Sequence, residues 1–253
     1  MTLTDLKLER YSRNILLPEI GGAGQEKLLK SKVLVIGAGG LGSPVIMYLA
    51  ALGIGNITII DHDKVELSNL QRQIIHNTEK IGIYKSDSAA SFISKLNPDV
   101  SITSINKKIS IKNADYLIST HDIIVDGSDN FETRYIVADT SFKNNKILVA
   151  AAINKYEGQI STWKRKNNKY PCFRCLFPNK PNNSQTINCS SNGVIGSLGG
   201  FLGSLQATEV VKEILVIGES LAGYLNIYDV LNNNFRKIKI NVDPKCYFCS
   251  EYR

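Results

Sequence analysis

Short apolar runs alternate with helical segments over the first 152 residues. After helical pieces in the first thirty residues, the pattern predicts strands and helices in turn, with the second helix stopping at the Asn97-Pro98 pair. The predicted strands lie at residues 32–36, 56–61, 100–105, 122–130 and 146–151, and the predicted helices at 41–52, 84–96, 113–120 and 131–143. This alternation indicates a parallel, doubly wound, Rossmann-like sheet.

The pattern changes after Ala152. Residues 156–163 resemble a strand, and a cysteine pair, a polar loop and a glycine-rich apolar helix follow. Two further strand-like runs lie at 223–230 and 235–242, and alternation in the last run predicts antiparallel strands with one solvent-facing side. We therefore expect a single α/β domain over 1–253, with a nucleotide-binding part (1–152) and a smaller β and cysteine-containing part (153–253).

Charge and composition argue against several function classes. The formal charge is +7, but the basic residues are scattered, so we expect a solvated surface or an acidic protein partner and no nucleic acid. The glycine-rich stretch from Gly193 soon meets charged residues, which argues against a membrane span and for close approach of another backbone. The charged N-terminus lacks an apolar leader segment, so we expect a cytoplasmic protein.

A glycine-rich turn follows the first strand. Gly37, Gly39 and Gly42 have the spacing of a dinucleotide-binding turn, and Gly40 lies between the last two. Asp61 ends the second strand, where a carboxylate can accept hydrogen bonds from both ribose hydroxyls of an adenosine. These residues support NAD and ATP equally.

Polar residues beyond Asp61 favour ATP. The SNLQRQ segment carries Asn69, Arg72 and Gln73, and Lys85 opens the next helix. Cations near a helix N-terminus suit a triphosphate, although each alone could be an ordinary surface residue.

The DGSDN segment places Asp126, Ser128, Asp129 and Asn130 at the end of a buried strand. Ligands of open α/β sheets bind at the carboxyl ends of strands, and Mg²⁺ favours one or two carboxylates together with phosphate oxygens. Asp129 is therefore a candidate Mg²⁺ ligand, with N-capping of the following helix as the alternative.

Four of the five cysteines form two C-x-x-C pairs, which is the pattern of a structural zinc site. The pairs are Cys172 with Cys175 and Cys246 with Cys249. Zinc bound by four thiolates would lower the net charge to +5. The fifth, Cys189, follows a polar loop that we expect to cross over an incoming peptide tail.

Together these motifs resemble the ThiF/MoeB family, bacterial relatives of the ubiquitin-activating enzymes. The resemblance spans residues 9–250 and rests on the segments RYSRNILLPEIGGAGQEKLLKSKVLVIGAGGLG, IIDHDKVELSNLQRQ, IGIYKSDSA, DGSDN, AAINKYEGQI and GSLQATEVVK and on the cysteine pairs. It implies that ATP and Mg²⁺ are used to adenylate the C-terminal glycine of a ubiquitin-like sulfur carrier, which the second part of the domain binds.

The resemblance also implies roles for individual residues. Asp61 would hold the ribose and Gly40 would lie against the nucleotide, while Asn69, Arg72 and Lys85 would hold phosphates. Asp129 would be the magnesium-binding and catalytic aspartate. Arg13 would act in trans, from the second protomer of a homodimer. Cys189 matches a position at which some members bond the activated carrier.

The expected function is therefore adenylation of ThiS or MoaD, for thiamine or molybdopterin synthesis. The sequence ends four residues after Cys249, so we expect no fused rhodanese domain and a separate protein that donates sulfur. Three alternatives stay open: a tRNA-modifying dehydratase of the same superfamily, an NAD-dependent oxidoreductase, and a zinc-dependent nucleic-acid binder.

Overall fold

A parallel half-sheet forms the first part of the fold. The computed structural model describes residues 3–165, 169–180 and 193–252. The parallel strands are β1 (Lys32–Ile36), β2 (Asn56–Ile60), β3 (Ser101–Ile105), β4 (Ile123–Asp126) and β5 (Ile147–Asn154). They lie in the order β3-β2-β1-β4-β5, so strand order reverses between β1 and β4.

Three antiparallel strands extend this sheet beyond β5. They are β6 (Glu157–Trp163), β7 (Tyr224–Asp229) and β8 (Asn234–Lys239), which pair in sequence to complete an eight-stranded sheet within the described residues. The predicted fold class, a mainly parallel sheet with an antiparallel extension, is confirmed.

Helices cover both faces of the sheet. They are α1 (Asp5–Arg10), α2 (Ser12–Ile15), α3 (Gly21–Lys30), α4 (Gly42–Ala51), α5 (Lys85–Leu96), α6 (Ile111–Ser119), α7 (Phe131–Lys143), α8 (Phe173–Leu176) and α9 (Gly196–Leu215). The sixth begins two residues earlier than predicted because Ser110 and Asn113 form a capping box. No helix in the described ranges is long and apolar enough to cross a membrane.

Alternate side chains of β1 enter two hydrophobic cores. Val33 and Val35 join the core beneath α4 and α9, whereas Leu34 and Ile36 join the core beneath α6 and α7. Strands with both faces covered become nearly continuous apolar runs, which explains the KVLVI segment.

The last strand differs from the prediction. All six residues of β8 are exposed, so the expected buried side of this strand is absent. The reason is its position, because β8 is the edge strand next to β7 and no helix of the described residues covers it.

Candidate active site

A cavity of about 470 Å³ lies at the carboxyl ends of β1, β2, β4 and β5. It includes the point between β1 and β4 at which strand order reverses. Open α/β sheets bind ligands at this position because the loops on either side diverge and leave a crevice.

The glycine turn after β1 forms one wall of the cavity. Gly37 has a φ of +89°, and a Cβ on Gly42 would lie 1.9 Å from the carbonyl oxygen of Gly37, so these two glycines close the turn. Gly37, Gly39 and Gly40 line the cavity, whereas Gly42 lies behind the turn. The turn therefore exposes the backbone of three of its four glycines to the cavity.

Helix α9 packs directly against this turn. A Cβ on Gly199 would lie 2.5 Å from the carbonyl oxygen of Gly40, and one on Gly203 would lie 2.7 Å from that of Leu41. The expected close approach of another backbone to the glycine-rich helix is confirmed.

Asp61 lies at the end of β2 and lines the cavity. Its Oδ2 accepts a hydrogen bond from the N–H of Ala38 and its Oδ1 accepts one from the N–H of Asp63, each at 2.8 Å. These bonds fix the carboxylate, and each oxygen keeps a second lone pair for a donor such as a ribose hydroxyl.

Four cationic side chains line the cavity: Arg72, Lys85, Lys108 and Arg134. Nζ of Lys108 forms an ion pair with the carboxylate of Glu132 at 3.1 Å. The guanidinium of Arg72 donates to the carbonyl oxygen of Ser68 at 3.1 Å, and that of Arg134 donates to the carbonyl oxygen of Ser128. Nothing in the spacing of Lys108 or Arg134 separates either from an ordinary surface residue, so the sequence does not predict their positions at the cavity.

Lys85 is the first residue of α5, and its side chain is only 9% exposed. Its Nζ lies 2.9 Å from Oδ2 of Asp63, which balances the buried charge. An anionic ligand in the cavity would either displace the Asp63 carboxylate from the Lys85 ammonium group or share that ammonium group with it.

Asn130, rather than Asp129, is the N-cap of α7. Its side-chain oxygen accepts a hydrogen bond from the N–H of Thr133 at 2.9 Å. The N-capping alternative for Asp129 is therefore wrong, and this exposed carboxylate lines the cavity. A carboxylate oxygen is a ligand that Mg²⁺ favours together with phosphate and water, so Asp129 could hold this ion if a nucleotide bound here.

Asp126 has a different environment, although it lies in the same segment. Its side chain is buried and accepts the N–H of Ser128 at 2.8 Å. Burial raises its pKa, with the charge of Arg134 acting in the opposite direction. Asp126 therefore shapes the loop after β4. Of the two carboxylates in the DGSDN segment, Asp129 is the one that lines the cavity and is available to a ligand.

The remaining predicted site residues differ in whether they line the cavity. Gln73 lines the cavity, and its Oε1 has no hydrogen-bond partner within the described residues. Asn69 is buried outside the cavity lining, where its side chain accepts the N–H of Glu66 and caps a short 3₁₀ turn. Arg13 is exposed on α2 and does not line this chain's cavity. Cys189 lies outside the described residues.

The cavity continues along β5 and β6, away from the glycine turn. Polar side chains from this part of the sheet, Asn154 and Gln159, line it together with the aromatic rings of Trp163 and Phe173. The sequence analysis did not identify these residues, because β5 and β6 become one wall only through their antiparallel pairing.

The four paired cysteines meet between α8 and the C-terminal 3₁₀ turn, packed against Phe142. Their sulfur atoms all lie within 4.8 Å of one another. The Sγ–Sγ separations Cys172–Cys175, Cys172–Cys246 and Cys175–Cys249 are each 3.7 Å. Four sulfurs at about 2.3 Å from a tetrahedral Zn²⁺ are about 3.8 Å apart, whereas a disulfide brings its sulfurs to about 2.05 Å. The cluster therefore fits zinc.

Burial and mutual repulsion oppose the ionisation of Cys172 unless a cation is present. Burial raises the pKa of Cys172, and the three neighbouring cysteines raise it further. Thiolates so placed require a cation, and four protein ligands leave no open position for catalysis. Zinc there would join α8 to the C-terminus and hold Phe173 against the cavity.

Comparison with known proteins identifies the family. The ThiF family model matches residues 11–248. The SAMP-activating enzyme E1 of Haloferax volcanii is 43% identical over 251 residues, covering 99% of this chain and 92% of that protein. A sulfur carrier protein adenylyltransferase of Thermus thermophilus is 40% identical, covering 99% and 94%. Adenylyltransferase and sulfurtransferase MOCS3 of Xenopus laevis is 44% identical, but this chain covers only 55% of it.

Solved structures share the fold. The crystal structure of E. coli MccB with ATP superposes with a TM-score of 0.82 at 24% identity, covering 95% of this chain and 74% of that one. The structure of selenomethionine PaaA gives 0.79 at 22% identity, covering 94% and 75%. The resemblance seen in the sequence is thereby confirmed, and the chain belongs to the ThiF family.

Proposed function

We propose that this chain uses ATP to adenylate the C-terminal carboxylate of a small ubiquitin-like sulfur carrier protein. The enzyme class predicted from the sequence, an adenylyltransferase, is confirmed by a relative with that name that matches over nearly its full length. The proposal adds the acceptor and assigns the residues that act on it.

The observation that carries the proposal is the composition of the cavity. One end combines a glycine turn with Asp61, four cationic side chains and the exposed carboxylate of Asp129. The other end runs along β5 and β6, where the carrier tail would lie. A hydride-transfer site needs fewer cations, so this combination favours a triphosphate over NAD.

The chemistry requires no nucleophile from the protein. An oxygen of the carrier carboxylate forms a bond to the α-phosphorus of ATP, the bond from that phosphorus to the bridging oxygen breaks, and pyrophosphate leaves. Arg72, Lys85 and Arg134 neutralise the charge that develops on the phosphate oxygens. Mg²⁺ held by Asp129 would add a further positive charge at these oxygens. The acyl adenylate then presents AMP as a good leaving group to a sulfur nucleophile.

Several finer assignments belong to this proposal. The carrier is ThiS or MoaD, serving thiamine or molybdopterin synthesis, and a separate protein supplies sulfur. A homodimer would bring the partner's Arg13 to the phosphates, which agrees with the exposed position of this residue away from its own cavity. Asn69 and Gln73 would assist in phosphate binding, and the thiolates would hold structural zinc.

Carrier-dependent exchange of labelled pyrophosphate into ATP tests the proposal. ThiS, MoaD and the SAMP protein for which the Haloferax relative is named are assayed side by side with saturating Mg-ATP. We expect exchange with at least one carrier and its loss in Asp129→Ala. Absence of exchange with all three carriers would refute the proposed function.

A further inference from the structure

His76 is a buried histidine beneath the glycine turn that the proposed chemistry does not use. It lies on the connection between β2 and α5 and is 6% exposed. A buried titratable side chain so close to a ligand-binding turn needs an explanation.

Both ring nitrogens of His76 are engaged. Nε2 lies 2.9 Å from the carbonyl oxygen of Ala38, and Nδ1 lies 2.9 Å from the hydroxyl of Ser88 on α5. Because a carbonyl can only accept, Nε2 carries the hydrogen and donates it to Ala38. In the neutral ring, the Ser88 hydroxyl then donates to Nδ1.

Ala38 is consequently held from two sides. Its N–H donates to the carboxylate of Asp61, and its carbonyl oxygen accepts from His76. The peptide that joins Ala38 to Gly39 is planar and trans, so the N–H of Gly39 points away from His76. Gly39 lines the cavity, and within the described residues no acceptor takes its N–H.

Burial favours the neutral form of the His76 ring. Burial lowers its pKa and the positive charge of Lys85 lowers it further, whereas the hydrogen bond to Ala38 and the carboxylate of Asp61 oppose this shift. A neutral ring with its hydrogen on Nε2 provides a fixed donor that adds no charge beside the phosphate site.

We propose that His76 is a positioning residue for the nucleotide, because it orients the Ala38–Gly39 peptide so that the N–H of Gly39 faces a phosphate oxygen. The inference rests on the proposed use of ATP. His76 acts through the backbone and touches no reacting atom. Its loss would leave the cavity residues in place but allow this peptide to rotate.

The chain contains a matched control. His121 is also buried, and its Nδ1 lies 2.6 Å from the carbonyl oxygen of Leu117 while its Nε2 lies 2.8 Å from the hydroxyl of Thr58. Burial lowers its pKa as well. It does not line the cavity, so it reproduces the burial and bonding of His76 without contact to the glycine turn.

The test measures the dissociation constant of Mg-ATP by titration calorimetry and stability by urea unfolding. His76→Leu is expected to weaken Mg-ATP binding about tenfold, because it leaves the Ala38 carbonyl without its donor. His76→Gln retains an amide N–H for Ala38 and should bind within about threefold of the unchanged protein. His121→Leu should lose stability but keep its affinity for Mg-ATP.

Unchanged affinity in His76→Leu, or equal loss in His76→Leu and His121→Leu, would overturn the inference. If His76→Leu does not fold, Ser88→Ala and its control Thr58→Val take its place, and only Ser88→Ala should weaken binding. Mg-ATP binding without exchange on any carrier would refute the proposed function while the His76 comparison still stands. A protein that does not bind Mg-ATP would refute both.

Discussion

Two adjacent glycines of α9 provide a sharp test of how the helix and the nucleotide turn fit together. A Cβ on Gly199 would lie 2.5 Å from the carbonyl oxygen of Gly40 and 3.0 Å from its carbonyl carbon. A Cβ on Gly200 would meet no atom within 4 Å. Gly199→Ala and Gly200→Ala therefore make the same chemical change in the same helix with different steric results.

The magnitudes follow from these distances. Replacing glycine by alanine inside a helix stabilises it by about 1 kcal/mol, which applies to both variants. At Gly199 the contact is about 0.5 Å shorter than the 3.0 Å below which real Cβ atoms essentially never approach a neighbour. Relieving such an overlap costs about 1–3 kcal/mol, so it cancels or exceeds the helical gain. It also displaces Gly40, which lines the cavity.

Urea unfolding and carrier-dependent pyrophosphate exchange are measured on both variants. Gly200→Ala should be more stable by up to about 1 kcal/mol with unchanged exchange, whereas Gly199→Ala should gain no stability and lose at least about tenfold in exchange. Equal stability and exchange in the two variants would refute the idea that α9 sets the position of the turn.

Three further predictions concern zinc, pH and the fifth cysteine. The purified protein should contain one zinc ion per chain by atomic absorption, and Cys246→Ser should lose it and lower the melting temperature by about 10 °C; equal stability with and without zinc would contradict a structural role. Burial lowers the pKa of His76 and His121 below the usual 6.5, so below that pH the unfolded chain binds protons that the native chain does not. Urea unfolding should therefore show stability falling as the pH drops below about 6.5, with a shallower fall in His121→Leu, and a flat profile would refute this. Cys189→Ala should keep full pyrophosphate exchange because adenylation needs no protein nucleophile, and loss of exchange would assign the cysteine to the first step.

Much of the fold could be predicted from the sequence because the physical signals are local. The apolar run of β1 and the Asn97-Pro98 stop after α5 lie where expected, since strand burial and proline geometry act within a few residues. The exposure of β8 was not predictable, because an alternating run does not reveal whether any layer will cover it.

The candidate site likewise contains residues that the sequence predicts and residues that only the tertiary structure brings to the cavity. The sequence by itself determined the family, the glycine turn, Asp61 and the paired cysteines, because each depends on short spacings that are visible along the chain. Only the tertiary structure decided that Asn130 caps α7 and leaves Asp129 at the cavity. It alone brought in Arg134 and placed His76 beneath Ala38, because these contacts join separate elements and depend on how helices pack on the sheet.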